Sequence, residues 1–245
     1  FDEAGQLRQI IERSTATALL WYGAYRFDAD GRIDWRLTNP APAPFALPAD
    51  TATYDADNRL ASWNNGGTAN AVHDDDGNMV TGPGADGLLT AFSFDVRNHL
   101  VSAVGITHRY NPDGLRVETT GTDAATYTVD PGAGLSRVLS RTTGGVTTYY
   151  VWGVGLMYEV DGATGAAKTY HADHLGNTVA LSDATGAVTD RMTYAPYGTL
   201  VARSGTTATP FLFGGILGCT TDASGLVHMR ARFYNPRTAR FLNAD

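Results

Sequence analysis

Sulfur, excess charge of one sign and long apolar runs are all scarce in this chain. Its one cysteine, Cys219, excludes an internal disulfide framework and leaves the redox compartment open. No run of about 18 apolar residues occurs, which argues against a membrane-spanning helix. Lys and Arg total 18 against 25 Asp and Glu, and the formal charge of −7 disfavours nucleic acid as a partner, which usually meets a basic face. The N-terminus lacks the charged region and apolar core of a signal peptide. Chemistry motifs are equally thin. There is no Gly-x-Ser-x-Gly elbow, and Cys219 has no CxxC partner. Gly82-Pro-Gly-Ala-Asp-Gly87 fits GxGxxG only literally, because it carries Pro83 and no helix follows. Asp74-Asp75-Asp76-Gly77 lacks the Glu that completes a calcium loop. On a strand, His171 and Asp173 share a face that His174 leaves, so hydrogen bonding is expected of them rather than metal ligation. No metal and no cofactor are expected.

What the chain does have is glycine, 28 residues of it, and a repeated phrase. An aromatic and an Asp are followed by two variable residues, a Gly or Asn, a polar residue and an aliphatic. The phrase begins at Phe1, Phe27, Tyr54, His73 (His for the aromatic) and Phe94, and in looser form at Tyr110. Asp can accept backbone amides two residues on, and Gly or Asn three residues later tolerates positive φ. Such a turn joins hairpin strands, and the flanking aromatic and aliphatic anchor them on one packed surface. Uneven spacing with a constant turn predicts an all-β antiparallel strip of hairpins rather than a regular solenoid or propeller.

Residues 6–22 could be read as a helix, but their β-branched content and the surrounding hairpins favour strands. Pro40, Pro42, Pro44 and Pro48 forbid a central strand and predict an extended surface strap. Residues 126–160 alternate as strands, with Gly144-Gly145 as a turn. After about residue 165 the motifs become denser, which suggests two regions, 1–164 and 165–245. Both ends look cut, so a fragment or processed piece is expected.

These residues resemble the RHS/YD-repeat family, and the last part resembles its RHS repeat-associated core domain. The hairpin phrases cover roughly residues 1–120. The core signature covers roughly 165–245: Tyr170 to Leu181, with the pattern D-H-L-G-x-x-x-x-L-x-D, then Tyr194 to Gly198, then Met229-Arg-Ala-Arg-Phe-Tyr-Asn-Pro236 leading to Arg240-Phe-Leu. The resemblance implies a β-hairpin strip curving as part of a hollow shell, as in Tc toxin C components, polymorphic Rhs toxins and teneurins. It also implies a bacterial, secreted or cell-surface container for a C-terminal toxin cargo. Partners would be upstream YD repeats or another shell chain, and a delivery or translocation component. A chain of this length is expected to need such neighbours to close a cavity.

The resemblance further implies an aspartyl protease acting in cis at the core domain. Asp245 matches the Asp of the family's D-P-x-G motif, and Asp222, in Thr221-Asp-Ala-Ser-Gly225, matches the upstream acid that pairs with it. The proline and the scissile segment are absent, so this chain itself is expected to be inactive. The family's basic residue before the upstream acid is missing from Phe211-Leu-Phe-Gly-Gly215, which leaves Arg230 and Arg232 as the nearest supporting cations. Read without the resemblance, Asp222 is one more turn Asp and Asp245 a strand end. A second function class also fits the sequence: an extracellular adhesion module without catalysis, with Trp21, Trp35, Trp63 and Trp152 stacking on sugars or a partner surface.

Overall fold

The repeated phrase builds one turn throughout the computed structural model, which describes residues 1–13, 19–41, 46, 49–64, 68–132 and 134–244. At Asp28 the amide N–H donates to the Arg32 carbonyl at 2.8 Å, and the Gly31 N–H donates back to the Asp28 carbonyl at 3.1 Å. The Asp28 Oδ1 then accepts the amides of Asp30 and Arg32. The same backbone bonds recur at Asp2, Asp55, Asp74, Asp95 and Asn111. Residue i+3 is left-handed each time, with φ between 60° at Asn58 and 84° at Gly77. A left-handed residue after a type I turn inserts one extra residue, and the strand register shifts just ahead of the turn, at Arg26/Phe27, Thr53/Tyr54 and Arg109/Tyr110.

Besides the turn at Asp222, four further turns share this geometry, at Gly84, Asp173, Asp183 and Ala195. Only Ala195 follows an aromatic, Tyr194, and Gly84 and Ala195 lack the acid. Their glycines at i+3 (Gly87, Gly176, Gly186, Gly198) carry the positive φ on their own.

The result is an antiparallel strip with no α-helix among the described residues. Gln9–Arg13, Leu19–Phe27 and Ile33–Asn39 make one three-stranded sheet, and Thr51–Tyr54, Leu60–Asn64 and Thr68–Asn70 another. Fourteen strands then follow in unbroken chain order, from Val72–His73 to Leu200–Ser204. This sheet passes through residue 165 without a break, since Leu156–Asp161 pairs with Ala167–Ala172. The chain leaves the sheet after Ser204. It ends in a small sheet of Thr220–Thr221, Val227–Met229, Arg232–Asn235 and Arg240–Phe241. Residues 9–13 and 19–22 are strand, as expected; residues 14–18, like Pro42, Pro44 and Pro48, lie outside the described residues.

Register shows where the core sits. Direct cross-strand partners share a face, and so do residues two apart on a strand. Ala103–Ile106, His108–Thr119, Thr119–Ala125, Tyr127–Arg141, Tyr150–Glu159 and Tyr170–Leu181 are such partners, so these residues line a single face. The chain's own C-terminal part packs on that face. Phe211, fully buried, meets Tyr150, Trp152 and Tyr170 edge-on at 4.7, 5.8 and 6.3 Å between ring centroids. Leu226, Phe233 and Leu242 join Leu60, Trp63, Met79, Phe92 and Leu100 in a second cluster. On this face the chain's own C-terminal residues cover the sheet.

Polar bonds fix that segment as firmly as apolar ones. The Phe211 amide donates to Thr209 Oγ1, which is bonded to the Tyr170 hydroxyl at 2.5 Å, and Tyr170 in turn donates to the Glu159 carboxylate. Burial pushes the Glu159 carboxyl pKa up, while the Tyr170 hydroxyl bond opposes that rise. Asp190, 1% exposed, accepts the amide and hydroxyl of Thr207 and so directs the chain off the sheet. On the opposite face Leu20 accepts a bond from Arg191, and Glu12 meets His171 at 3.2 Å. Ala180 and Leu181, neighbours that point to opposite faces, are both fully buried for this reason.

Two stability tests follow from this packing. Phe211→Ala should cost about 3–5 kcal/mol in urea unfolding, the loss typical of a buried aromatic. Val104 and Gly105 form a two-residue hairpin turn with φ of 49° and 73°. A β-branched residue is strained there, whereas Asn is favoured. Val104→Asn should therefore stabilise the protein by roughly 1 kcal/mol; an unchanged or lower urea midpoint would contradict that strain.

Candidate functional site

Asp222 occupies the same turn as the repeats, between Thr220–Thr221 and Val227–Met229. Its amide donates to Leu226 at 3.1 Å and Gly225 donates back at 3.0 Å. The side chain departs from the pattern. Ser224 takes over part of the turn, since its hydroxyl accepts the Leu226 amide at 3.3 Å. Asp222 Oδ1 accepts the Ser224 amide at 2.9 Å and the Ser224 hydroxyl. Oδ2 is buried and has no hydrogen-bond partner. In the other buried or half-buried turns this second oxygen is bonded, to Asn78 at Asp74, to His99 at Asp95 and to Asn177 at Asp173.

The surroundings of that bare oxygen come from distant strands. His108 Nε2 lies 3.9 Å away, too far for a hydrogen bond, and both side chains are almost fully enclosed. Phe233 sits between His108 and His228, with ring centroids 4.8 and 4.9 Å apart. Arg116, 6% exposed, donates to Thr220 Oγ1 at 2.7 Å and lies over the Tyr127 and Phe233 rings. A cavity of about 30 Å³, lined in part by Arg116, Thr220, His228 and Arg230, adjoins the cluster and has room for a water.

The charges follow from enclosure. Burial pushes the Asp222 carboxyl pKa up, against the Ser224 hydroxyl bond and the Arg116 guanidinium, which favour the ionised form. Burial, aided by Arg116, lowers His108 to about 3. Burial also holds His228 well below its ordinary value. Both imidazoles are therefore neutral at neutral pH, and Arg116 is the fixed charge beside Asp222. The arrangement is that of a carboxyl able to hold a proton in a closed, nearly dry site.

Asp245, the other acid singled out in the sequence, lies outside the described residues. The chain just ahead of it passes this cluster. Leu242 donates its amide to the Phe233 carbonyl at 2.8 Å, and Asn243 Oδ1 accepts the Phe233 amide at 3.2 Å. Arg230 and Arg232 are engaged elsewhere: Arg230 donates to the carbonyls of Ser136 and Leu217, and Arg232 stacks 3.7 Å over the Phe241 ring. The arginine beside Asp222 is Arg116, which sequence reading missed together with His108 and His228. His171 bonds Ser182 at 2.8 Å and meets Glu12 at 3.2 Å, Asp173 caps its own turn, and His174 packs on Tyr25. Among the described residues no three such side chains converge as a metal site.

These shifts give the stability a predictable pH dependence. A carboxyl raised in the fold binds its proton more tightly than in the unfolded chain, so Asp222 costs stability as pH rises above 3.8. A depressed histidine acts oppositely: stability is complete above 6.5 and falls as pH drops toward 3. Asp222→Asn should thus gain stability over the parent between pH 4 and 7, and His108→Gln should flatten the loss below pH 6.5. Urea midpoints measured across this range would refute both assignments if all three proteins ran parallel.

No protein-family profile matches the sequence, and no curated protein matches it. Solved structures do. The crystal structure of TcdB2-TccC3 aligns with a TM-score of 0.63 at 16% identity, over 99% of this chain and 17% of that one. The TcdB2-TccC3-Cdc42 crystal structure gives 0.61 at 15%, over 98% of this chain and 16% of that one. The Photorhabdus luminescens Tc holotoxin pore with a TccC3 variant gives 0.61 at 15%, over 99% and 16%. The chain thus spans 16–17% of the length of these neighbours, and at such identity the likeness is one of fold. What the geometry and these alignments establish together is an all-β, antiparallel, RHS-like shell fold.

Proposed function

We propose that this chain is a section of an RHS-type toxin shell, with residues 1–164 as YD-repeat wall and 165–245 as core domain. In the longer protein the wall encloses a toxic C-terminal segment, and the core domain severs the chain in cis. The observation that carries this reading is the fourteen-stranded sheet in unbroken chain order, capped on one face by its own last forty or so residues. Joined to neighbouring repeats at its edges, such a wall would leave few bare strand edges and separate an enclosed segment from its surroundings. The neighbours' names pair TccC3 with TcdB2, which supports assembly with a second shell chain. Upstream repeats, a delivery component and export from a bacterial cell complete the proposed setting. Two of the four tryptophans, Trp21 and Trp63, are buried, which favours a role in packing over one in an exposed sugar-stacking platform.

Cleavage would use Asp222 and Asp245 as a dyad. Two adjacent carboxyls share a proton because both cannot ionise cheaply. Asp222, raised by burial, holds the proton and donates to the scissile carbonyl, while ionised Asp245 takes a proton from the attacking water. Collapse of the tetrahedral intermediate breaks the C–N bond, with a proton delivered to the leaving amine. Arg116 would stabilise the charge that passes between the two acids.

A chain extended past Asp245 through the following segment tests this directly on a denaturing gel. The extended parent should run as two pieces, and Asp222→Asn and Asp245→Asn should each remain whole. Equal processing of all three would remove the dyad, and no processing of any would leave a structural role alone.

A further inference from the structure

A groove of about 310 Å³ opens between the N-terminal three-stranded sheet and the strands Thr178–Asp183 and Val188–Tyr194, away from the Asp222 cluster. Its walls are aromatic: Trp21 and Tyr25 on one side, Tyr194 on the other. Glycine shapes it. A Cβ at Gly23 would fall 2.5 Å from the Trp21 ring and 2.7 Å from the Tyr25 hydroxyl, so both rings lie over bare backbone. Ligand pockets of this kind combine apolar walls with a few polar groups left to be satisfied.

Those groups are present and unsatisfied. Tyr25 is 3% exposed; the His174 backbone N–H approaches its oxygen, while its own proton finds no acceptor. His174, whose ring lies 4.6 Å from that of Tyr25, has Nδ1 equally buried and unbonded. Arg36, the cross-strand partner of Tyr25, lines the groove without an ion pair to any described residue. Arg191 adds a second guanidinium, with Nη1 bonded to the Leu20 carbonyl. The one carboxylate in the lining, Asp173, is saturated by the amides of Leu175 and Asn177 and by the Asn177 side chain. Burial keeps His174 neutral by lowering its pKa. The groove is therefore net positive, and its free cation and free buried hydroxyl stand on neighbouring strands.

We propose that this groove binds a small aromatic carboxylate, its ring against Trp21 and Tyr194 and its carboxylate between Arg36 and the Tyr25 hydroxyl. The ring displaces water from apolar walls. The anion meets a charge-assisted bond from Arg36 and accepts the Tyr25 hydroxyl proton, which otherwise finds no acceptor in the interior. The site is independent of the shell and cleavage reading and would stand if that reading fell.

Calorimetric titration with 2-naphthoate and with its neutral amide tests the proposal. Saturable binding of the acid is expected, with the amide at least tenfold weaker. Arg36→Leu, at an exposed position that should not disturb folding, should cut naphthoate affinity at least tenfold and leave the amide unchanged; Tyr25→Phe should weaken the acid while preserving the ring wall. Arg36→Gln serves as a second charge-removing variant if the leucine form is poorly behaved. No saturable naphthoate binding up to about millimolar concentration, equal affinity for acid and amide, or full affinity in the Arg36 variants would overturn it.

Discussion

One local bond set governs this architecture: an acid or amide side chain taking backbone amides two and four residues on, beside a left-handed Gly or Asn. Where it closes a hairpin, the turn adds one residue to one strand and so fixes the pairing of that ladder. Because a slip of one residue would send each side chain to the opposite face, these turns and the two-residue turns at Val104-Gly105 and Gly144-Gly145 together keep Ile106, Tyr127, Tyr150, Tyr170 and Leu181 on a common surface. The turn is therefore the origin of the core, though it lies at the rim.

That core is unusually polar. Arg141, Glu159 and Asp190 share a surface with Phe92 and Leu181, and the C-terminal segment is held by the relay from Phe211 through Thr209 and Tyr170 to Glu159 as well as by ring packing. Buried carboxyls survive because each finds donors. Asp222 is the exception, with one oxygen bonded by Ser224 and the other bare. Among the described turn acids it alone leaves a buried oxygen without a donor.

Much of the fold was legible because its signal is local. The Asp and Gly of each phrase act within five residues, and Gly144-Gly145 marks its hairpin at the expected position, with φ of 57° and 80°. The turns at Gly84 and Ala195 escaped because glycine alone achieves there what Asp and glycine achieve elsewhere. The surroundings of Asp222 were illegible for a different reason. Arg116 reaches Thr220 across 104 residues, and nothing near either residue announces the meeting. Only the summed registers of the intervening strands bring them together. Arg230 and Arg232, close in sequence to Asp222, are drawn instead to Ser136, Leu217 and Phe241.

The unbroken chain order of the long sheet bears on how the protein is made. Each strand finds its partner next door, so ladders can zip as residues emerge from the ribosome, with little loop-closure entropy to overcome. The surface they create stays wet and sticky until the segment after Ser204 emerges, because Phe211, Leu226, Phe233 and Leu242 follow the sheet in sequence. Nascent chains therefore pass through a stage with a completed wall and an uncovered interior, the stage at which a chaperone has most to bind and aggregation most to exploit.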